Sequence, residues 1–336
     1  MIEVKNLVKD FKSLNRKPGL IGSFKNLFSR DYTVKRAVDQ ISFNVNEGEI
    51  VGYIGPNGAG KSTTIKMMTG ILVPSSGTIS VDGITPYKDR QKNAMKIGVV
   101  FGQKTQLWWD LPVRETFTIL KEIYQVNDED YKKRMKFMVD VFGLEEFFTI
   151  PVRSLSLGQR MRADLAAAMI HNPKVLYLDE PTIGLDVVVR ENVRKAIKEL
   201  NAQFNTTVIL TTHDLSDIEE LCKRVMIIDN GVKVYDGTLD EIRSRFGYMR
   251  RLELKVKNPQ AFCGPEIIEK YQLDANDLLS EVKEGLLHIN YNRNKIGVQE
   301  ILNHVLSATE IMDMSIFETK IEDIIKKIYR NEVNWD

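Results

Sequence analysis

Gly55-Pro56-Asn57-Gly58-Ala59-Gly60-Lys61-Ser62-Thr63 is the stretch that decides the fold of this chain. It fits G-x-x-x-x-G-K-S/T, the pattern of a phosphate-binding loop. The apolar segment Ile50–Ile54 before it predicts a buried strand, and residues 64–68 after it predict the first turns of a helix. The motif is informative only between a strand and a helix, and this chain supplies both. The sequence therefore predicts a nucleotide site.

The backbone of this loop explains how it would hold phosphate. Its glycines let successive N–H groups converge on phosphate oxygens, and the following helix adds the positive end of its dipole. Lys61 would reach the β- and γ-phosphates, and the Ser62 hydroxyl would ligate magnesium. An ordinary glycine-rich turn is the alternative, but the full match in this context favours a nucleotide.

Composition limits the classes of protein to which the chain can belong. Its 336 residues carry 47 basic and 46 acidic side chains, so the charge balance does not indicate nucleic-acid binding. No apolar run reaches the ~20 residues of a membrane-spanning helix, and residues 1–5 do not resemble a signal peptide. Cys222 and Cys263 have neither metal-ligand nor disulfide spacing. We expect a soluble cytoplasmic chain with room for two domains.

The segment 12–36 is unusual, because seven basic side chains against one acidic give it a local net charge of +6. Its apolar residues fall on one face of a predicted helix: Leu20, Ile21, Phe24, Leu27 and Phe28. Such a helix can lie on an anionic membrane or dock on a partner, or it can pack on its own domain. Residues 2–7 before it predict an edge strand. Tyr32, ahead of a strand at 37–45, could stack on an adenine ring or be a plain strand-edge tyrosine.

Two carboxylates end a second apolar run. Residues 175–178 lead directly into Asp179 and Glu180. After a phosphate-binding loop, such a pair indicates that Asp179 holds magnesium through water and that Glu180 polarises an attacking water. Acids that merely solvate a strand end are the alternative, and the buried run before them favours the functional interpretation.

Further polar positions follow other predicted elements. Gln103 comes just past an apolar run, where its amide oxygen could reach magnesium and sense a γ-phosphate, or where it could be a generic loop residue. His213 ends a strand at a place where parallel sheets bind ligands. Ser156, with Gly158 and Gln159 beside it, precedes an alanine-rich helix that it could cap, or whose end could bind a second phosphate.

In this order, the motifs resemble those of the nucleotide-binding subunit of an ATP-binding-cassette (ABC) transporter, over about residues 1–240. The matching segments are Walker A at 55–63, the Q-loop at Gln103, the signature at 155–159, Walker B at 175–180, the D-loop at 184–186 and the switch histidine at His213. Leu157 departs from the usual LSGGQ signature, and we expect it to alter the packing of that loop or tune the rate. More narrowly, the chain resembles ATPases of ABC-2-type exporters, which include sodium-extrusion and drug-resistance pumps.

The resemblance implies an α/β fold: a P-loop NTPase cassette with a mixed-sheet core, an antiparallel β subdomain and a helical subdomain at about 107–170. It implies ATP and Mg²⁺ as cofactors, with Ser62, Gln103 and Asp179 as metal ligands. Glu180 and His213 would be the catalytic residues. Two copies would bind head to tail, each ATP held by one Walker A loop and the partner's signature residues. An integral membrane permease at the cytoplasmic face of the cell membrane would be the other partner, and nucleic acid would not be one.

Beyond the cassette, which we place at residues 1–247, the pattern changes. Residues 248–336 predict elements in the order β-α-β-β-α-β, which is the ferredoxin-like arrangement. We expect a structural or dimerising domain. The alternative is a ligand-sensing domain such as the methionine-importer ATPases carry, in which case the chain would serve import.

A soluble ABC ATPase that acts outside transport is the other class of function. Repair members of the family insert a long coiled coil between Walker A and the signature, and the stretch between Ser62 and Leu155 is too short for one. Translation factors usually fuse two cassettes, and this chain has one. The sequence therefore favours an ATPase that powers transport, and export in particular.

Overall fold

The computed structural model describes residues 1–14, 32–102 and 104–330. The predicted helix at 20–28 and the predicted ligand Gln103 lie outside these residues. The chain divides into two compact units, Met1–Asp236 and Gly237–Asp336. This division comes before the boundary that we expected at residue 247.

Two sheets make up the frame of the first unit. Their strands are β1 (Ile2–Leu14), β2 (Tyr32–Val45), β3 (Ile50–Ile54), β4 (Ser76–Val81), β5 (Ile97–Phe101), β6 (Val175–Asp179), β7 (Thr207–Thr211), β8 (Arg224–Asp229) and β9 (Val232–Thr238). The larger sheet has six strands in the order β5-β6-β7-β3-β8-β9, and the smaller has three in the order β2-β1-β4.

The larger sheet is parallel from β5 to β8. Its strands are short apolar runs buried on both faces, as parallel sheets covered by helices require. A two-residue turn, Asn230-Gly231, joins β8 to β9, and both residues have positive φ, 46° and 80°. This is the backbone of the hairpin turn that an Asn-Gly pair predicts.

The smaller sheet corrects one prediction. β1 lies between β2 and β4 and pairs antiparallel with both, so the expectation that residues 2–7 form an edge strand is wrong. Alternation along a strand shows which face is buried, but it carries no information about the neighbours on either side.

Helices cover the sheets and fill the section that we predicted to be helical. They are α1 (Lys61–Met68), α2 (Arg90–Ala94), α3 (Val113–Ile123), α4 (Asp128–Phe142), α5 (Leu157–Met169), α6 (Val187–Phe204) and α7 (Leu215–Leu221). One hydrophobic core joins both sheets to α1. Within it the buried Tyr53 donates a hydrogen bond of 3.2 Å to the Thr64 hydroxyl, which ties β3 to α1 across the phosphate-binding loop. In the described residues no helix is long and apolar enough to cross a bilayer.

The second unit contains the predicted β-α-β-β-α-β succession. Its elements are α8 (Leu239–Phe246), β10 (Met249–Val256), α9 (Gly264–Tyr271), β11 (Leu278–Lys283), β12 (Leu286–Asn292), α10 (Val298–Ala308), β13 (Ile311–Glu318) and α11 (Ile321–Tyr329). The strands pair antiparallel in the order β11-β12-β10-β13, which is ferredoxin-like. α8 packs against α11, so it belongs to this unit and not to the cassette.

Candidate nucleotide-binding site

A cavity of about 880 Å³ opens where the strands of the larger sheet end. It is lined by the loop residues 57–63 except Ala59, by Asp179 at the end of β6 and Glu180 after it, and by His213 after β7. In open α/β sheets, ligands bind at the carboxyl ends of the strands. Motifs from three separate parts of the sequence therefore meet at one place suited to a ligand.

The phosphate-binding loop is held closely against neighbouring strands. Gly60 has φ 104°, and a Cβ there would lie 2.4 Å from the Ala37 carbonyl oxygen. A Cβ at Gly55 would lie 2.1 Å from the Ile228 carbonyl oxygen. Only glycine fits at both positions, so the loop backbone keeps its N–H groups open to a ligand.

Lys61 begins α1 and turns its side chain back over the loop. Its ammonium group donates hydrogen bonds to the carbonyl oxygens of Gly55, at 2.6 Å, and Pro56, at 3.1 Å. Burial lowers the pKa of Lys61, while the nearby carboxylates of Glu180 and Asp179 act in the opposite direction. A desolvated ammonium at a helix N-terminus is well placed to take up phosphate oxygens.

Ser62 and Asp179 face each other across the floor of the cavity. The Ser62 hydroxyl lies 3.3 and 3.5 Å from the two carboxylate oxygens, and Thr211 donates to the same carboxylate at 2.5 Å. Hydroxyl and carboxylate oxygens are ligands that Mg²⁺ prefers, and Mg²⁺ usually keeps waters and substrate phosphates as further ligands. The Ser62 hydroxyl and the Asp179 carboxylate therefore fit a magnesium ion that takes its other ligands from water and phosphate. The described residues contain no group of three or more His, Cys, Asp and Glu side chains that could hold a metal ion.

Glu180 is fixed by backbone strain and by His213. Its φ of 59° is left-handed, a sparsely populated conformation for this residue type. One carboxylate oxygen lies 3.3 Å from His213 Nε2, and the other accepts the His213 backbone N–H at 3.3 Å. Burial raises the pKa of Glu180, against the opposing effects of His213 and Lys61. A carboxylate held in this way is a stronger base than a solvated one.

The signature residues do not line this cavity. Ser156 caps α5: its hydroxyl accepts the Gln159 backbone N–H at 3.2 Å, and the Gln159 side chain accepts the Ser156 N–H at 2.9 Å. A Cβ at Gly158 would lie 2.8 Å from Val189 on α6, so glycine permits the close approach of the two helices. Within one chain the structure does not bring Ser156 to Lys61.

Leu157, the departure from the usual signature, touches the D-loop of its own chain. A Cβ at Gly184, where φ is 72°, would lie 3.1 Å from Leu157 Cδ2. The leucine therefore occupies space above Gly184 that a glycine in the signature would leave open. The effect of Leu157 on the packing of the loop or on the rate stays a prediction.

Aromatic residues near the cavity differ from expectation. Tyr32 pairs with Leu14 at the far end of the β1–β2 hairpin and is not among the cavity residues. Phe11 is exposed, pairs with Lys35, and lines the cavity together with it. The two aromatic residues are three positions apart on the hairpin, about 10 Å at the usual rise per residue. The sequence analysis missed Phe11. Its signal in the sequence is an aromatic residue near the end of the first strand.

Asp164 on α5 is a second residue that our sequence reasoning missed. It is 5% exposed and accepts hydrogen bonds from the Thr105 hydroxyl, at 2.9 Å, and the Gln106 backbone N–H, at 3.0 Å. Burial raises the pKa of Asp164 to about 6. The carboxylate therefore ties the loop after β5 to the helix that begins at the signature. A single acid within an alanine-rich helix is the only sequence signal for it.

Asp164→Asn should make the protein more stable at high pH and leave it little changed at low pH. Because the folded-state pKa is raised, folding favours the protonated form, and this contribution to stability is lost as pH rises from about 4 to above 6. A shift from 3.8 to about 6 corresponds to about 3 kcal/mol, which is the upper limit of the gain at pH 8. Urea denaturation at pH 4.5 and 8 measures the difference. The exposed Asp140→Asn controls for removal of a charge, and an equal Asp164 effect at both pH values would contradict this account.

Known proteins resemble this chain most clearly over the cassette. The family described as ABC transporter matches residues 38–183. The linearmycin resistance ATP-binding protein LnrL of Bacillus subtilis is 36% identical over 225 residues, which are 67% of this chain and 72% of that protein. The Nod factor export ATP-binding protein I of Ralstonia nicotianae is also 36% identical, over 63% of this chain and 65% of that protein.

A solved structure gives the same result for the fold. A dimeric ATP-binding cassette in a post-hydrolysis state, bound to ADP and Pi, is 27% identical. It matches with a TM-score of 0.58 over 71% of this chain and 99% of that one. The assembled cavity and these likenesses lead to one conclusion: the chain belongs to the ABC transporter family, as an ATP-binding subunit that hydrolyses ATP to power transport.

Proposed function

We propose that this chain drives export through a separate integral membrane permease, from the cytoplasmic face of the membrane. The observation that carries the proposal is the convergence of Lys61, Ser62, Asp179, Glu180 and His213 on one cavity. Relatives named for linearmycin resistance and Nod factor export support the outward direction. The permease would select the transported substrate.

ATP hydrolysis follows from the roles of these side chains. Lys61 and the N-terminal N–H groups of α1 bind the phosphates. Ser62 and Asp179 would hold Mg²⁺, with Gln103 as the further oxygen ligand expected from the sequence. Held there, the ion would neutralise charge that develops on the phosphates. Glu180 would accept a proton from the attacking water as the water oxygen bonds to the γ-phosphorus and the bond from that phosphorus to the β-phosphate oxygen breaks, which releases ADP. His213, beside Glu180, would contact the γ-phosphate.

A head-to-tail dimer would complete each site. Ser156, Gly158 and Gln159 lie away from their own chain's cavity, and at the start of α5 they could meet the γ-phosphate bound by the partner. The likeness to a cassette solved as a dimer with ADP and Pi supports this arrangement. Closure on ATP and opening after hydrolysis would then deliver the motion that the permease needs.

Phe11, in place of Tyr32, is our proposal for the residue that stacks on adenine. Phe11→Ala should weaken ATP binding by at least about fivefold, since an aromatic contact contributes roughly 1 kcal/mol beyond its area and 1.4 kcal/mol is a factor of ten. Tyr32→Ala is the matched control and should bind ATP like the wild type. Both variants should bind inorganic triphosphate normally, because it lacks the base. Stacking by Phe11 would be excluded if both variants lost ATP affinity equally. It would also be excluded if Phe11→Ala bound inorganic triphosphate more weakly than the wild type.

A loop with two exposed tryptophans could contact the permease. Trp108 and Trp109 follow the segment that Asp164 holds, and the Arg160 guanidinium lies 5.7 Å from the Trp109 ring centre. The loop comes shortly after Gln103, which is expected to sense the γ-phosphate. It is therefore placed to pass a change at the nucleotide to a partner.

Transport is tested in the source cell by replacing the chain with Glu180→Gln. We expect the variant protein to sediment with the membrane fraction as the wild type does, while its cells retain a labelled compound that wild-type cells expel. The surface variant Glu191→Gln is the control and should leave efflux unchanged. Loss of uptake instead of efflux would show an importer. A chain found only in the soluble fraction, with transport unaffected, would contradict a role in transport.

A further inference from the structure

The edge strand β13 leaves most of its surface uncovered. Every residue from 312 to 318 is exposed. Its large apolar side chains are between 44% and 63% exposed: Met312, Met314, Ile316 and Phe317. β13 lies at the end of its sheet, so one row of its backbone groups has no strand partner within the part of the chain that the structure describes.

The two edges of this sheet differ in a way that matters for association. Native edge strands are usually short, charged or interrupted by proline, since an open apolar edge pairs with other strands. β11, at the other edge, carries Glu281 and Lys283. β13 has eight residues to six in β11 and contains no proline, lysine or arginine; its acidic residues are Asp313 and Glu318, and Glu318 forms an ion pair of 2.6 Å with Arg250. β13 also exposes four large apolar side chains where β11 exposes two, Leu279 and Val282, so β13 fits better an edge that is covered in the working protein.

The apolar side chains of β13 extend the core of the unit. Met314 pairs with Leu254 and Ile316 with Leu252, and both leucines are fully buried. Residues directly opposite each other in a sheet point to the same face. Met314 and Ile316 therefore point to the core face of the sheet but remain half exposed. Another strand beside β13 would cover them.

The sequence of β13 is complementary to itself. If two copies pair antiparallel with Met314 opposite its equivalent, Met312 meets Ile316 and Asp313 meets Ser315; Ile311 lies beyond the register irregularity in β13 and packs on the core, so it is left out of this pairing. Apolar residues thus oppose apolar ones, and the carboxylate opposes a hydroxyl. Shifting one strand by two residues puts Asp313 opposite Phe317. A shift of one residue moves every side chain of that strand to the other face of the sheet. A two-fold axis at Met314 is therefore the register that matches the side chains from residue 312 to residue 316.

We propose that β13 is an interface between two copies of this chain, formed by antiparallel pairing of β13 with β13 of the partner. A second copy fits better than an unrelated partner, because an unrelated strand gives no reason for the pattern to be symmetric about Met314. The interface lies outside the nucleotide-binding cavity and needs no ATP. The β13 interface can therefore be tested independently of the head-to-tail dimer.

Disulfide trapping tests the interface and its register. Cα atoms directly opposite in an antiparallel pair lie about 4.5–5.5 Å apart, within the range that a disulfide spans. In the full chain with Cys263→Ser, we expect Met314→Cys to form a covalent dimer on oxidation with diamide, without nucleotide. The control is Leu279→Cys on β11, since its side chain is 52% exposed and that of Met314 is 50% exposed. We expect at least about ten times less dimer from it, because its strand lies at the other edge of the sheet.

A second variant removes the apolar contact without introducing a thiol. Met314→Lys places a charge on the proposed axis, where it would meet its equivalent, and like charges directly opposite destabilise strand pairing. Sedimentation without nucleotide should show at least a tenfold weaker self-association, with unchanged circular dichroism. Equal cross-linking of Met314→Cys and Leu279→Cys would overturn the proposal, as would undiminished self-association of a folded Met314→Lys protein. A Met314→Cys protein that stays monomeric until a membrane partner is added would assign β13 to that partner instead.

Discussion

Purified Glu180→Gln protein should bind ATP as the wild type does but hydrolyse it on the order of 10²–10⁴ times more slowly, the usual contribution of a general base. The amide keeps the size of the side chain and can still accept the His213 backbone N–H, so the geometry of the cavity should survive. The variant loses the basic carboxylate. In the wild type, burial raises the pKa of this Glu180 carboxyl group.

Phosphate release and nucleotide retention measure these two properties separately. We expect ATP to remain bound to Glu180→Gln through gel filtration, because the variant binds ATP but does not hydrolyse it at an appreciable rate. The variant Glu191→Gln makes the same change at an exposed position on α6 and should turn over ATP at the wild-type rate. Near-normal turnover in Glu180→Gln would show that another group activates the water.

Ser156→Arg is expected to abolish hydrolysis while sparing ATP binding by Lys61 and its loop. In the head-to-tail arrangement, the arginine would occupy the space of the γ-phosphate held by the partner, and closure would fail. Within its own chain the substitution lies outside the cavity. Fluorescence titration with ATP and a phosphate-release assay distinguish binding from turnover.

The capping role of Ser156 calls for its own control. Replacing a capping serine with alanine costs about 1 kcal/mol of stability. Ser156→Ala should therefore lower the urea midpoint but keep measurable hydrolysis, whereas Ser156→Arg should lose hydrolysis at temperatures where it is fully folded. If both variants lose activity only in proportion to their loss of stability, the serine is a helix cap and no more.

The residues of the cavity could be predicted because each depends on local sequence. Gly60 is required by the backbone of the loop itself, and Glu180 directly follows a buried strand. The succession of strands and helices beyond residue 248 was equally readable, because each element has its own periodicity and turn residues. These signals need no knowledge of distant parts of the chain.

The missed features depend on contacts between distant segments. Phe11 reaches the cavity through the pairing of β1 with β2, and β1 is central because β4 joins it from far along the chain. Asp164 is buried where the Thr105 loop packs on α5, a contact between distant segments. The division of the chain after Asp236 differs from the boundary expected at residue 247, because the packing of α8 on α11 cannot be seen in either helix alone.

Complementation between two inactive variants tests the composite site most directly. Lys61→Ala lacks the phosphate-binding ammonium, Ser156→Arg lacks a usable signature, and each alone should be inactive. A mixed dimer contains one site with neither change and one site with both. Co-expressed variants should therefore recover roughly a quarter of wild-type hydrolysis, since half of randomly formed two-fold dimers are mixed and each has one intact site. A co-expressed pair as inactive as its separate members would contradict ATP hydrolysis between two copies of this chain.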